Sequence, residues 1–164
     1  MEKSKGSLQY FPKVDIKKWL SKIMSLTEGI EVISYRFEPH ITIAYGLDDS
    51  CISNISSLLN EFLKESRFEL SIHKLNTFRN ENDILVIPVY DHNENIVKLN
   101  RIVETGFNIQ SSFDFSPHIT IAVLPMSTGY VFVNQDIDIF DYGIPDINIG
   151  VFKYQDSNRN KINL

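Results

Sequence analysis

Phe37-Glu-Pro-His-Ile-Thr-Ile-Ala44 and Phe115-Ser-Pro-His-Ile-Thr-Ile-Ala122 differ only at their second position and lie 78 residues apart. Ile and Thr favour strands, and strand side chains alternate between faces. Each copy therefore reads as a strand. His40, Thr42 and Ala44 share one face and Ile41, Ile43 and Tyr45 the other. The second copy repeats this, with His118, Thr120 and Ala122 against Ile119, Ile121 and Val123. The isoleucine face, Tyr45 with it, is expected in the core, and the His/Thr/Ala face on the floor of a cleft. Pro39 and Pro117 suit strand starts, where a missing N–H is tolerated. The plain alternative is a repeated structural strand with a satisfied histidine, and the identical flanks weigh against it.

Around these strands the chain alternates strand and helix patterns. Gly6–Phe11 reads as a first strand. Val14, Ile16, Trp19, Leu20, Ile23, Met24 and Leu26 recur at helical spacing over 14–27. Glu31–Phe37 leads as a strand into the first motif. Asp48, Asp49 and Ser50 start a helix that runs through Ile52, Ile55, Leu59 and Phe62. Arg67–Phe78 and Asp83–Tyr90 read as paired strands across the turn 79–82. A third helix covers 94–107. Tyr130–Asn134 and Ile147–Tyr154 read as late strands, and Gln155–Leu164 as a polar, frayed tail. The expectation is a single domain over 1–164 made of two lobes, with one motif in each (39–44 and 117–122).

At 43% hydrophobic residues the chain can bury a core, and its net charge is −5. That charge argues against a long, sequence-blind nucleic-acid binder, which needs a basic stripe. A small phosphate ligand held by a few local groups remains compatible. Cys51 is the only cysteine, so neither an internal disulfide nor a cysteine zinc cluster is expected. The N-terminus lacks an apolar signal region and no run reaches transmembrane length. A cytoplasmic protein with no membrane partner is the expectation.

Two His-x-Thr strands facing each other suit phosphoester chemistry. Cleavage through a neighbouring hydroxyl needs a base, an acid and donors to the non-bridging oxygens. Histidine titrates near neutrality, so one imidazole can be neutral and the other protonated in one site. Threonine on the same face can donate to a phosphate oxygen. The set calls for no metal or other cofactor.

These motifs resemble the 2H phosphoesterase superfamily, which includes 2′-5′ RNA ligase-like proteins, cyclic nucleotide phosphodiesterases and viral 2′-5′ oligoadenylate phosphodiesterases. The resemblance rests on His40-Ile41-Thr42 and His118-Ile119-Thr120. It implies an α+β, bilobal, pseudo-symmetric fold with two antiparallel-rich sheets flanked by helices around a central groove. It also implies that His40 and His118 are the acid/base pair and that Thr42 and Thr120 bind phosphate. Glu38–Leu47 and Ser116–Val123 further resemble a phage- and bacterium-associated branch with enzymes that degrade cyclic oligonucleotide immune signals. That would place the protein in a host cytoplasm, in evasion of antiviral defence.

Candidate substrate contacts are aromatic and Arg residues, on whose faces bases stack: Tyr10, Arg36, Phe78, Arg79 and Tyr130. The loop Pro125–Tyr130 reads as either a lid or an ordinary connection. His73 and His92 lack a following Thr and read as surface residues. Asp136–Asp146 lacks the pattern of a calcium loop and reads as solvated. The leading expectation is a metal-independent phosphodiesterase of a small nucleotide: a cyclic oligonucleotide, a 2′-5′ oligoadenylate or a 2′,3′-cyclic phosphate. The competing one is a non-catalytic module, a sponge or sensor, that captures a nucleotide or RNA end in the same groove.

Overall fold

Both repeats fold as strands, and the two strands touch. The computed structural model describes residues 5–111 and 114–164. In chain order the elements are β1 (Gly6–Pro12), α1 (Ile16–Leu26), β2 (Ser34–Tyr35), β3 (Ile41–Leu47), α2 (Ile52–Glu65), β4 (Leu70–Ser71), β5 (Asn76–Arg79), β6 (Asp83–Pro88), β7 (Tyr90–Asp91), α3 (Asn95–Gly106), β8 (His118–Leu124), β9 (Gly150–Gln155) and β10 (Lys161–Asn163). This is an α+β fold whose strand pairs are antiparallel. The main sheet has the order β10-β9-β1-β3-β8-β6-β5, with β2 also on β8, and β4 and β7 form a separate ribbon. Within it the motif strands β3 and β8 pair only at Ile41 with Ile119. On either side of that junction the arrangement is alike. β1 and β9 flank β3, and β6 and β5 flank β8.

Each motif strand carries a bulge at the same place in the repeat. Along β1, Leu8 pairs with Ala44 and Gln9 with Thr42, so Ile43 is the extra residue. Along β6, Leu85 pairs with Ala122 and Val86 with Thr120, so Ile121 is the extra residue. A bulge opposes two residues to one and re-aims those that follow. Ala44 and Ala122 are consequently buried, not on the cleft floor as simple alternation predicts. Tyr45, expected in the core, is 66% exposed on the His/Thr side. The carbonyl of each extra residue takes its partner from outside the strand opposite the bulge. Ile43 O accepts from Asn100 Nδ2 at 2.8 Å, and Ile121 O from the Arg36 N–H at 2.8 Å.

Ile41, Ile43, Ile119 and Ile121 are wholly buried and share one apolar cluster with the helices. Trp19 and Ile23 enter it from α1, Ile55, Leu59 and Phe62 from α2, and Ile96, Leu99 and Val103 from α3. Each fully buried Ile or Leu contributes about 1.5–3 kcal/mol. Asp15 caps α1, its carboxylate accepting from the Lys18 N–H at 3.2 Å. Among the described residues no helix is long and apolar enough to cross a membrane.

Three segments depart from the sequence pattern. Gly129–Phe132 is a 3-10 turn rather than part of a strand over 130–134. The Gly129 N–H donates to Asp83 Oδ2 at 2.9 Å and its carbonyl accepts from Thr77 Oγ1 at 2.8 Å, so tertiary bonds override the β propensity of Tyr-Val-Phe-Val. The run 67–78 is broken between β4 and β5, which join different sheets. The tail is not frayed, because β9 and β10 form a hairpin. Asp49 fastens it, accepting from the Ser157 N–H and from Tyr154 Oη at 3.1 Å.

Candidate active site

The junction of β3 and β8 gathers the four motif side chains. Ile41 lies opposite Ile119 in antiparallel register, which brings the segment of His40 and Thr42 beside that of His118 and Thr120. The two motifs thus meet at the centre of the sheet, where β3 adjoins β8.

The two imidazoles are held alike. His40 Nδ1 lies 3.1 Å from the Glu38 carbonyl oxygen and His118 Nδ1 lies 2.8 Å from that of Ser116. A carbonyl only accepts, so each Nδ1 carries the proton and each Nε2 is left for a ligand. The residue between, Pro39 or Pro117, turns the upstream carbonyl back onto the ring. A ring wall completes each environment. The centroid of Phe11 is 5.2 Å from His40, and Phe78 meets His118 edge-on at 4.9 Å.

The halves differ electrostatically. Burial pushes the His40 imidazole below its usual range; the bond to Glu38 partly opposes this, and the charges of Lys161 and Arg36 add to it. The Glu38 carboxylate binds Lys161 Nζ at 2.6 Å and Lys153 Nζ at 3.6 Å. Burial works against the charge of Glu38, but those two ammonium groups hold its carboxyl below the usual range. Both lysines also sit over Phe11, at 4.9 Å for Lys153 and 4.8 Å for Lys161. A groove of about 610 Å³ extends from His40 and Thr42 over β1, β9 and β10. Arg36, Arg159 and Lys161 line it with Glu38 as the single acid, and Tyr45 stands on its wall.

Of the candidate substrate contacts, Phe78 and Arg36 reach the site. Tyr10 does not. It is 2% exposed, and its hydroxyl donates to the Ile147 carbonyl at 2.8 Å. Its neighbour Phe11 is the ring that packs against His40. Ser7 and Gln9, polar residues at the same parity, are the signal that identifies the groove face. Arg79 alternates with Phe78 and falls on the opposite face, with Thr77. Tyr130 follows Gly129, which Thr77 and Asp83 tie to that same face, so the loop 125–130 is an anchored connection and not a lid. His73 and His92 lie apart from the groove, each hydrogen-bonded through Nε2 to Ser71 Oγ, at 2.9 and 2.6 Å. The acidic run makes local turns, as where Asp138 accepts from the Phe140 N–H at 2.9 Å. Among the described residues no three His, Cys, Asp or Glu side chains form a metal-ligand cluster. Arg159 and Lys161 lie in the segment that reads as a polar tail, and Lys153 in the strand before it.

Comparison with known proteins fits this geometry. No curated protein matches the chain. Among solved structures, the crystal structure of the MHV ns2 PDE domain superposes with a TM-score of 0.51 at 16% identity, covering 76% of this chain and 86% of that one. At that identity the likeness is one of fold. The family model of the 2′-5′ RNA ligase superfamily matches residues 15–137, which include both motif strands and exclude β1, β9 and β10. With both His-x-Thr strands inside that match, the chain belongs to the 2′-5′ RNA ligase superfamily, the 2H phosphoesterases.

Proposed function

We propose that the protein is a phosphodiesterase in which His40 and His118 act as general base and general acid on a small nucleotide, without a metal. Thr42 and Thr120 donate to the non-bridging oxygens of the reacting phosphate. The observation that carries this reading is the matched pair of Nδ1-to-carbonyl bonds, which leaves the Nε2 atom of each motif histidine for a ligand. Burial favours neutral His40, which suits it to the base. His40 then takes the proton of the attacking hydroxyl, a ribose hydroxyl or a water. The oxygen–phosphorus bond forms, the opposite one breaks, and His118 protonates the departing oxygen.

The substrate class is a cyclic oligonucleotide, a 2′-5′ oligoadenylate or a 2′,3′-cyclic phosphate. Nucleotides of immune signalling fall within it, the setting implied by the phage-associated resemblance, with a cytoplasmic site of action. The test is product analysis in EDTA with a panel of these compounds. The wild type runs beside His40→Ala and His118→Ala, with circular dichroism as the check on folding. Multiple-turnover cleavage lost in both variants is the expected result. Activity that survives either change sinks the two-histidine mechanism, and retention of a nucleotide without turnover points to a capture module.

A further inference from the structure

We infer that the groove over β1, β9 and β10 is a subsite for a second nucleotide, its phosphate held by Arg36, Arg159 and Lys161 and its base stacked on Tyr45. The inference rests on the reading that His40 and Thr42 hold a phosphodiester. It adds that the substrate has at least two phosphates and runs from the motif junction toward the C-terminal hairpin.

Three observations point there. The first is charge. The chain is acidic, with net charge −5, yet three cations and one carboxylate line this single groove. Phosphate oxygens are what such a cluster of donors recognises. The second is the aromatic wall. The bulge at Ile43 re-aims Tyr45 onto this side, where it is 66% exposed, and Phe37 nearby is 57% exposed. Exposed rings beside cations form the stacking platform of single-stranded nucleotide sites. The third is preorganisation. Arg159 has a left-handed backbone, φ 70°, in the turn that joins β9 to β10. A hairpin turn of this kind uses that conformation to close on Asp156, and it fixes where the Arg159 side chain starts. Asp49 fixes the same turn through the Ser157 N–H. The opposite lobe does not mirror this, since Arg79 faces away and Asp83 is 2% exposed and bonded to Gly129. Arg159 and Lys161, with β1, β9 and β10, lie outside the matched segment 15–137, whereas Arg36 and Tyr45 lie inside it, so the chain's flanks supply only part of the subsite.

The experiment is equilibrium titration in a His118→Ala background, which stops turnover and leaves this groove untouched. The probes are 2′-5′ and 3′-5′ linked triadenylates, with 2′,3′-cyclic AMP as the one-phosphate comparison. Arg159→Gln and Lys161→Gln are each expected to weaken a triadenylate by about tenfold and to leave 2′,3′-cyclic AMP within about twofold. Lys161→Arg restores binding, and Arg79→Gln has no effect. Equal weakening of long and short probes, indifference of the triadenylate, or no saturable triadenylate binding overturns the subsite. Wild-type turnover combined with indifference to Arg159→Gln and Lys161→Gln sinks the subsite alone. Arg159-dependent triadenylate binding without any wild-type turnover sustains the subsite and sinks the catalytic reading.

Discussion

Asn100 in α3 donates its side-chain N–H to the main-chain carbonyl of Ile43 in β3, at 2.8 Å and out of reach of water. That carbonyl belongs to the extra residue of the bulge, which has no pairing partner on β1. Asn100→Ala strands it, and an unsatisfied buried acceptor costs about 1–3 kcal/mol. Chemical denaturation should show a loss of that size. A loss of under about 0.5 kcal/mol, the usual range of surface changes, would mean that the bulge needs no such support.

Thr42 and Thr120 are expected to act through their hydroxyls alone. Removal of one oxyanion donor costs about 10²–10³ in kcat. Thr→Val at either position should give a loss of that order, and Thr→Ser should recover most of it. Steady-state rates on the best substrate of the panel are the measurement. Equal rates for Val and Ser would show that the methyl group, not the hydroxyl, matters.

The acidic limb of the kcat/KM profile reports the base. Burial holds His40 below the ordinary histidine value, about 6.5. The limb should therefore fall on the acid side of that value. Stability has the same sign. The unfolded chain binds a proton at His40 more readily than the folded one, so stability rises with pH toward the ordinary value and falls on acidification. His40→Gln should flatten that part of the curve in urea titrations across pH. An acidic limb above the ordinary value contradicts the assignment.

Glu38→Gln removes the carboxylate whose charge favours protonated His40. Lys161 and Lys153 remain and lose their partner. The His40 limb should therefore move further toward acid. A move toward alkaline pH, or none, would show that Glu38 and the lysines do not set the field at His40.

Gly129→Ala should destabilise the second lobe without touching the motif residues. A Cβ there would stand 2.8 Å from Thr77 Oγ1 and 3.1 Å from Asp83 Oδ2. Both atoms hold the Gly129 backbone, so relief of the clash breaks bonds. A loss of about 1–3 kcal/mol is expected, read by thermal unfolding, with kcat/KM per folded molecule unchanged.

The sequence made the motif strands, the three helices and the isoleucine core legible because each depends on local periodicity. Face assignment failed where alternation was interrupted. Nothing in Ile43-Ala44-Tyr45 announces a bulge, since the extra residue is defined only by its partner strand, and so Tyr45 was expected inside. Tyr10 and Phe11 are both aromatic. Only the parity of Ser7 and Gln9 separates them. The first strand of the C-terminal hairpin was legible but its return strand β10 was not, because it is held by pairing with β9 and by Asp49, more than a hundred residues away in sequence. The lysines it carries therefore looked like solvated charge.

The single pair Ile41–Ile119 has a mechanical consequence. A long ladder would lock two half-sheets into one rigid plate. One pair is a spine, like that of a book, and β2, paired with β8 at Ser34 and Tyr35, is its second stitch. The angle of opening is then governed by side chains beneath the spine, Ile43 and Ile121 among them. A methyl group added or removed there would change the separation of the two imidazoles without altering either histidine's own surroundings.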